Sequence, residues 1–557
     1  MQNSNLLQKA YSVEGFKETA DDILGLLMKL FPTEETAHKD KTIPFRPPED
    51  QLKDWQNEFN SGPTTLKDLT EKIIANSLIL SNKRNVAHQL SVTLPITMLT
   101  AAISARLNNV PTHYQLGMTA ITMERIVIEH MLQKFGFNEG STGTVVTGGS
   151  MGNLTALVTA RTKYERFFQD KRQAHNLAIM VSEVAHYSIE RAAMVMGLDR
   201  ENIIQLPLNP DCTVKVDELE NKLKEARSKG KIVFCIVGCA STTSHGAHDD
   251  LTALGTFAKK HNMWFHVDGA HGGCAAFSKK YKHLLKGIEL CDSVIIDFHK
   301  MLMVPTTSTA ILYNRRAPPP TSSDKTKTAP HRTTSTPSNS EVFRSDQPLK
   351  QIYSFTKEID NQNDGDNSLV DFSAPYLFND SQSNEWYEGG YHTLECSKPT
   401  VIFHTYAILR IYGDELFEQN VDTLYDMGIK FGQMVEKRPN FKLAVKPQNN
   451  IVCFRYVVDH ILEKEKTDNE NFLKEIAGLD EIEQAKRRKK HKNLHDVFTQ
   501  NILDKIVNDG TYYLSSAPVF GILYLRVTFM NPFTDDAVLN EILDKVEEYA
   551  KLEESKF

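Results

Sequence analysis

The sequence predicts an α/β fold built around a mainly parallel sheet, with a helical N-terminal region and a smaller α+β C-terminal domain. Between residues 86 and 315, apolar runs of strand length alternate with stretches of helical periodicity, which indicates βαβ units. Polar residues follow several apolar runs, at the carboxyl ends of strands where such sheets bind ligands. The predicted strands span 177–181, 203–206, 232–237, 263–267, 293–296 and 309–313, with helices at 216–228 and 251–261.

The chain divides into three predicted regions. Residues 1–85 form an N-terminal helical region, because their apolar residues recur at helical spacing. Residues 86–375 form a large ligand-binding domain, and residues 376–557 include the C-terminal small domain. Length alone also predicts more than one domain.

Two segments are predicted insertions. Segment 317–339 is rich in Pro, Ser and Thr, so it cannot bury enough apolar surface to offset the entropy of ordering, and we predict disorder. Segment 461–495 is highly charged and contains the basic run 486–492. A solvated helix face is the favoured interpretation of that run, and a nuclear address or membrane contact is the alternative.

Composition and charge exclude several classes of protein. The net charge of -7 is modest and spread along the chain, which predicts no nucleic-acid partner. The apolar stretches are too short to span a bilayer, and residues 1–15 lack the apolar core of a signal peptide. The seven cysteines form no CxxC pair, which favours reduced thiols in a cytoplasmic protein. We predict no metal site and no membrane partner.

An acid and a lysine at neighbouring strand ends give the most specific chemical signal. Asp268 ends the apolar run 263–267, and Lys300 follows the run 293–296, 32 residues after Asp268. Pyridoxal phosphate needs this pair, because the lysine forms a Schiff base with its aldehyde and the carboxylate keeps its pyridine nitrogen protonated. Taken singly, either residue is as well explained as an ordinary surface or turn residue.

A glycine-rich turn supplies a candidate phosphate site. A strand that includes Val145 and Val146 runs into the turn Gly148-Gly149-Ser150-Met151-Gly152, and a helix is predicted from 154 to 161. Glycines let the backbone approach an anion closely, and the free N–H groups at a helix start point toward it. The acid, the lysine and the turn together predict a pyridoxal phosphate site.

These motifs resemble the group II pyridoxal-phosphate-dependent amino-acid decarboxylases, which include the glutamate, cysteine sulfinate, aromatic amino-acid and diaminobutyrate decarboxylases. The resemblance runs from about His88 to the C-terminus, apart from the two insertions. Its most specific stretches are 147–161, 186–188, 266–273, 297–300 and 393–398. It implies the fold-type I architecture and a homodimer with active sites at the subunit interface.

The resemblance also implies roles at matching positions. Lys300 would hold the cofactor, Asp268 would pair with the pyridine nitrogen, and His186 would stack on the ring. The other implied cofactor contacts are Gly149, Ser150, Ala270, His299 and Thr243, with Thr242 as the alternative to Thr243. In relatives a mobile loop, here placed after residue 376, supplies a tyrosine that donates a proton. Tyr387 is our candidate, and Tyr391 is the alternative.

Substrate residues are less specific. His88 and Gln89 resemble a polar segment of decarboxylases for acidic substrates, and Arg526 resembles an arginine that contacts a carboxylate. A buried polar network and a structural arginine paired with a core acid are the respective alternatives. In addition, Lys398 stands where relatives often carry an arginine pair, and we expect the contact there to be weakened because a point charge replaces a guanidinium fork.

The function predicted from these residues is removal of the α-carboxylate of an L-amino acid, with a small or acidic substrate favoured over an aromatic or diamino one. The alternatives are another carbon–carbon lyase or an aldehyde-forming oxidative decarboxylase on the same fold. They stay open because the sequence says little about which bond of the substrate is broken. A catalytically inactive dimer is disfavoured because Lys300, Asp268 and His186 are all present.

Overall fold

The computed structural model describes residues 12–31, 41–168, 175–315, 387, 390, 392–480, 483–484, 486–487, 491 and 493–557. The insertion predicted at 317–339 and the alternative proton donor Tyr391 lie outside these residues, as do positions 488–490 and 492 of the basic run. Within the described residues, no helix is long and apolar enough to cross a membrane, and no group of three or more His, Cys, Asp or Glu side chains is placed to hold a metal ion.

Helices and strands alternate through the middle of the chain, as the sequence predicts. The helices are α1 Val13–Met28, α2 Pro48–Asn60, α3 Leu66–Ala75, α4 Ile96–Leu107, α5 Tyr114–Phe135, α6 Gly149–Phe168, α7 Tyr187–Val195, α8 Leu219–Ser228, α9 Leu251–Lys260, α10 Ile402–Lys437, α11 Asp459–Ile476, α12 Leu494–Asp509 and α13 Asp536–Glu554. The strands are β1 Thr142–Val146, β2 Leu177–Ser182, β3 Ile203–Leu206, β4 Ile232–Cys239, β5 Trp264–Asp268, β6 Ser293–Asp297, β7 Thr309–Tyr313, β8 Phe441–Leu443, β9 Ile451–Tyr456, β10 Ser515–Val519 and β11 Ile522–Thr528.

The chain forms two compact units. The large unit contains the described residues within 93–243 and 247–422, and the small unit contains those within 1–92, 244–246 and 423–557. The sequence predicts separate N- and C-terminal regions, whereas in the structure both belong to the small unit. Backbone hydrogen bonds explain this grouping, because Val86 donates to the carbonyl of Tyr513 at 3.0 Å and accepts from Thr528 at 2.6 Å. Such long-range pairing leaves no local signal in the sequence.

A seven-stranded sheet forms the centre of the large unit, in the order β1-β7-β6-β5-β4-β2-β3. Strands β3, β2, β4, β5 and β6 pair in parallel, and β7 pairs antiparallel with both β6 and β1. Strands β2, β6 and β7 are buried along their whole length, which explains their continuous apolar runs. The carboxyl ends of β1, β4, β5 and β6 therefore share one edge of the sheet.

The small unit contains a four-stranded antiparallel sheet, in the order β10-β11-β9-β8. Helices α12 and α13 contribute apolar faces to its core, where Phe498, Ile502, Ile542 and Val546 are buried. Strands β9 and β11 form the layer that faces these two helices. The side chain of Phe454 on β9 is fully buried. The predicted α+β character of this region is observed.

Buried histidines predict how stability depends on pH. Burial lowers the pKa of His245, His266 and His495 to about 4, and that of His248 to about 3, from an ordinary 6.5. As pH falls below about 6.5, the unfolded chain binds protons that the folded chain does not, so stability is lost progressively down to about pH 4. Burial raises the pKa of Asp249 to about 6, which acts in the opposite sense but offsets only one histidine.

We therefore expect a melting temperature several degrees lower at pH 5 than at pH 7.5. Differential scanning calorimetry across this range at constant ionic strength measures it. An equal or higher melting temperature at pH 5 would show that these histidines are not buried as neutral groups.

Candidate active site

The carboxyl edge of the large sheet brings the predicted acid, lysine and glycine turn together. Asp268 is the last residue of β5, and Asp297 is the last residue of β6. In the ladder, Thr309 of β7 pairs with Asp297 on one side and with Val146, the last residue of β1, on the other. The turn after β1 and the lysine after β6 therefore start from adjacent points of this edge.

Lys300 is held by a carboxylate that received no role from the sequence. Its Nζ lies 3.1 Å from Oδ2 of Asp297, whose side chain is only 3% exposed. Thr309 donates its hydroxyl to the other oxygen, Oδ1, at 2.5 Å. Asp297 thus fixes the position of the lysine amine. A polar residue at a strand end, as with Asp268, was the signal that could have identified it.

His299 lies beside this ion pair. Its Nε2 is 3.6 Å from Oδ2 of Asp297, and its Nδ1 lies 2.9 Å from the carbonyl oxygen of Ser308. The imidazole is buried, so its orientation is set by the chain that leads into β7.

Asp268 accepts hydrogen bonds at both carboxylate oxygens. Asn153 of α6 donates its Nδ2 to Oδ2 at 3.0 Å, and the backbone N–H of Ala270 donates to Oδ1 at 3.1 Å. The residue is 8% exposed. Donors directed at both oxygens fix the position and orientation of the carboxylate at the end of β5.

The amide of Asn153 is itself oriented by a buried histidine. Its Oδ1 lies 2.9 Å from Nε2 of His266, and Nδ1 of His266 lies 2.8 Å from the Ser293 hydroxyl. Trp264 donates its indole N–H to the same hydroxyl at 2.8 Å. Burial lowers the pKa of His266 to about 4, while the charge of Asp268 acts in the opposite direction. The neutral ring therefore donates from Nε2, and the amide nitrogen of Asn153 is left facing Asp268.

This network was missed from sequence, although a signal existed. Trp264, His266 and Asp268 alternate along β5, so their side chains share one face of the strand. Nothing local places Asn153 opposite that face, because the contact joins residues 115 positions apart.

His186 lies in the same electrostatic environment. Burial lowers the pKa of its imidazole; the charge of Asp268 opposes that shift, whereas the charge of Lys300 adds to it. The ring precedes α7, and its Nδ1 lies 2.8 Å from the hydroxyl of Ser188. Ser188 also accepts from Nδ2 of Asn153 at 2.9 Å. The structure therefore groups His186, Asp268 and Lys300, and a neutral imidazole suits stacking on an aromatic ring.

The glycine turn becomes a helix earlier than predicted. Helix α6 begins at Gly149 rather than at residue 154, so Gly149 and Ser150 supply the first free N–H groups. Gly148 has a φ of +103°, which favours glycine, and a Cβ at Gly149 would lie 3.1 Å from both carboxylate oxygens of Asp297. Glycine therefore lets the helix start approach the Asp297–Lys300 pair.

The remaining predicted cofactor contacts lie nearby in the chain. Ala270 links two strand ends, because its carbonyl accepts from the N–H of Asp297 at 3.1 Å. Thr242 is occupied locally, since its hydroxyl accepts from the N–H of Ala247 at 3.1 Å. Thr243, at the next position, is half-buried and stays our candidate. The ring of Tyr387 packs edge-on against Tyr114 at 5.3 Å, beside the start of α5.

The predicted substrate residues belong to the small unit. Arg526 is 5% exposed, and its guanidinium donates to the carbonyls of Ser244 at 3.1 Å and Ala87 at 2.9 Å. Both acceptors are neutral, and burial lowers the pKa of Arg526. Removal from water and the charge of Arg526 lower the pKa of His88, whose Nε2 lies 3.0 Å from the Tyr513 hydroxyl. Within the described chain, Nε2 of Gln89 is enclosed without a hydrogen-bond partner.

The residues present fit pyridoxal phosphate. The amine of Lys300, 15% exposed, is available for a covalent link. The Asp268 carboxylate is held in place by two donors. The start of α6 offers unpaired N–H groups to a phosphate, with no Cβ at Gly149. The lysine amine matches the aldehyde of the cofactor, the carboxylate matches its pyridine nitrogen, and the helix start matches its phosphate.

Comparison with known proteins identifies the family of this chain. The pyridoxal-dependent decarboxylase conserved domain matches residues 48–318 and 366–457. An L-aspartate decarboxylase from Metarhizium robertsii is 28% identical over 370 residues, 66% of this chain and 64% of that protein; the match thus spans just under two thirds of this relative. An acidic amino acid decarboxylase from Homo sapiens is 26% identical over 451 residues, 79% of this chain and 77% of that one.

A solved structure has the same fold. The glutamate decarboxylase domain of a Vibrio parahaemolyticus diaminobutyrate-pyruvate transaminase and L-2,4-diaminobutyrate decarboxylase superposes with a TM-score of 0.72 at 20% identity, covering 96% of this chain and 95% of that one. This likeness confirms the predicted α/β architecture.

These comparisons confirm the resemblance seen in the sequence, and the domain match begins at residue 48 rather than near His88. They also confirm the predicted cofactor, pyridoxal phosphate, and the predicted enzyme class, a cofactor-dependent amino-acid decarboxylase. This chain belongs to the pyridoxal-dependent decarboxylase family.

Proposed function

We propose that this chain removes the α-carboxylate of an acidic L-amino acid, with pyridoxal phosphate held by Lys300. The observation that carries the proposal is the grouping of the Lys300–Asp297 ion pair with Asp268 and His186 at one sheet edge. When bound, the cofactor supplies an aldehyde that links to amines and a ring that accepts an electron pair.

The residues around the ring position have separate proposed roles. Asp268 holds the proton on the pyridine nitrogen, and Asn153 keeps its carboxylate in place. His186, as a neutral imidazole, packs on the ring face. Gly149 and Ser150 bind the phosphate through backbone N–H groups, with Thr243, Ala270 and His299 as further contacts. Asp297 keeps the amine of Lys300 at this edge before substrate arrives.

Two relatives support an acidic substrate, since their names specify aspartate and acidic amino acids. We infer that Arg526 binds the substrate's second carboxylate, assisted by His88 and Gln89. The carbonyls of Ser244 and Ala87 hold the guanidinium in place, and its fork geometry matches a carboxylate through a bidentate contact.

Arg526→Lys is expected to raise the Michaelis constant for an acidic substrate about tenfold or more, with a smaller change in kcat, because a point charge replaces the fork. Steady-state kinetics with L-aspartate and L-glutamate measure the change. Arg455→Lys, on the neighbouring strand β9, is the matched control. An unchanged Michaelis constant with a lowered melting temperature would assign Arg526 a structural role.

We propose that Tyr387 donates the proton to the former α-carbon, with Tyr391 as the alternative. Tyr387→Phe should slow amine formation and divert part of the turnovers to an aldehyde or ketone, because a closed loop normally positions the donor and excludes water. Mass spectrometry of the products measures the diversion. If the variant makes only the amine at the wild-type rate, the donor is a different group.

A homodimer is also proposed. Leu99, Ile103 and Leu107 recur every four residues along α4 and are 58%, 52% and 55% exposed. An apolar stripe of this kind marks a protein interface, and we infer that a second copy of this chain covers it. Light scattering of wild type and of Ile103→Glu tests this: a dimer that the variant dissociates is the expected result, and a wild-type monomer contradicts it.

A cytoplasmic location is proposed from the cysteines. All seven are free thiols, and only Cys396 is exposed, as expected in a reducing compartment. Imaging of a tagged chain in its own cells tests the location.

The reaction is tested with a panel of acidic, aromatic, basic and small L-amino acids, by measuring carbon dioxide release and identifying each product. The proposal predicts one amine per carbon dioxide and a preference for acidic substrates. Preference for aromatic substrates would correct the substrate class, and aldehyde products would favour an oxidative reaction.

A further inference from the structure

Strand β1 leads directly into the glycine-rich segment 148–152, here called the phosphate turn. Yet β1 lies at the edge of the described sheet. Its only strand neighbour there is β7. An edge strand exposes a row of unpaired N–H and C=O groups and is prone to fray. The position of Gly149 and Ser150 therefore depends on whatever satisfies the outer edge of β1.

Side chains take the place of the missing strand. Glu124 of α5 accepts from the N–H of Val145 at 2.9 Å and from the hydroxyl of Thr144 at 2.8 Å, both through Oε1. Lys398 donates its Nζ to the carbonyl of Val145 and lies 3.5 Å from the same Glu124 oxygen. Both outward polar groups of Val145 are thus paired by one ion pair, whose side chains are 4% and 14% exposed.

A third side chain continues this edge into the turn. Glu395 accepts from the N–H of Thr147 at 3.1 Å through Oε2, and its Oε1 accepts from the Thr147 hydroxyl. Thr147 lies two residues after Val145, so its N–H points in the same outward direction. Glu124, Glu395 and Lys398, here called the edge clamp, therefore pair successive outward groups up to two residues before Gly149.

The segment that carries Glu395 and Lys398 is anchored at several points. Thr112 donates its hydroxyl to the carbonyl of Cys396. Thr400 donates to the carbonyl of Asn109 at 2.7 Å and accepts from Ser104 at 2.8 Å. These contacts fix the segment against the α4–α5 region. The positions of Glu395 and Lys398 are therefore set by hydrogen bonds to that region. The amine of Lys398 reaches both Val145 and Glu124.

We propose that the edge clamp positions the phosphate turn for pyridoxal phosphate, with Lys398 and Glu395 as positioning residues. The inference rests on the proposed role of Gly149 and Ser150. Backbone N–H groups bind an anion well only if they are already aimed, because reorganising them on binding costs affinity. The clamp holds the strand that aims them, without touching the phosphate.

Lys398→Met and Glu395→Ala test the proposal, with Lys398→Arg as the conservative replacement. We expect the Kd for pyridoxal phosphate to rise about tenfold or more in the first two, as for loss of a buried charge-assisted contact. Amide hydrogen exchange of residues 143–151 in the cofactor-free protein should accelerate. Lys398→Arg should restore both. Lys279→Met and Glu418→Ala are the controls, because they break a surface ion pair of 3.1 Å in the same unit, where Lys279 is 88% exposed.

An unchanged Kd in both clamp variants overturns the proposal, even if the melting temperature falls. A raised Kd with unchanged exchange at 143–151 also overturns it, because the clamp acts through this backbone. If Lys398→Met does not fold, the half-buried Glu395 carries the test. Ser150→Asp puts a negative charge in the turn. This variant tests the assignment of the turn as the phosphate site separately from the role of the edge clamp. If it alone weakens cofactor binding, only the clamp fails; if it has no effect either, the assignment of the turn fails as well.

Discussion

Lys300→Ala is expected to abolish turnover and to remove the borohydride-reducible link between protein and cofactor. The reason is that Lys300 is the amine placed beside Asp297 at the carboxyl edge of the sheet. Without this amine the covalent bond to the cofactor aldehyde cannot form. Reduction of the holoenzyme followed by peptide mapping measures the link directly.

A second variant guards against a trivial loss of folding. Removing Lys300 leaves the Asp297 carboxylate buried without its cation, which destabilises a protein by about 3–5 kcal/mol. Lys300→Arg keeps a positive charge there, but its guanidinium stays protonated and does not form the link. Both variants should lose the link and the activity. A cofactor adduct that persists in Lys300→Arg places the attachment at another lysine.

Asp268→Asn should lower kcat by at least about 10²–10³, the range for loss of one pre-organised electrostatic contact. The side chain keeps its shape but no longer holds a proton on the ring nitrogen. In addition, Asp268 accepts hydrogen bonds at both oxygens, and an amide accepts at only one. Asn153 cannot simply turn over in response, because His266 fixes its carbonyl end.

A cofactor with a permanent methyl group on the ring nitrogen separates charge from structure. It carries the positive charge without a proton, so part of the lost activity of Asp268→Asn should return with it. Asn153→Ala, which leaves the Asp268 charge in place, is the matched control and should show a smaller loss. Near-normal turnover of Asp268→Asn with the natural cofactor would falsify the role given to Asp268.

The strands and their terminal residues were predictable because burial on both faces imposes continuous apolar runs. Run 309–313 coincides with β7, run 293–296 lies within β6, and the positions of Asp268 and Lys300 follow from the strand ends. The start of α6 was misplaced by five residues, at 154 instead of 149. Glycines within 148–152 indicate a turn by composition, whereas here they form the first turn of the helix.

The side chains that support the site were not predictable in the same way. Asn153, His266 and Asp297 act through hydrogen bonds and an ion pair formed after the sheet assembles. The edge clamp similarly joins Lys398 to Val145, 253 positions away. Sequence periodicity reports which face of an element is buried, but it carries no information on which polar groups meet across elements.

In the proposed reaction, this chain removes an α-carboxylate and returns a proton to the same carbon. The most direct measurement is the reaction in deuterated water with the preferred amino acid of the panel, followed by NMR of the products. We expect one carbon dioxide and one amine per turnover, with a single deuteron on the former α-carbon. Recovery of the amino acid with its carboxylate intact and deuterium at the α-carbon, or formation of an aldehyde in place of the amine, would contradict it.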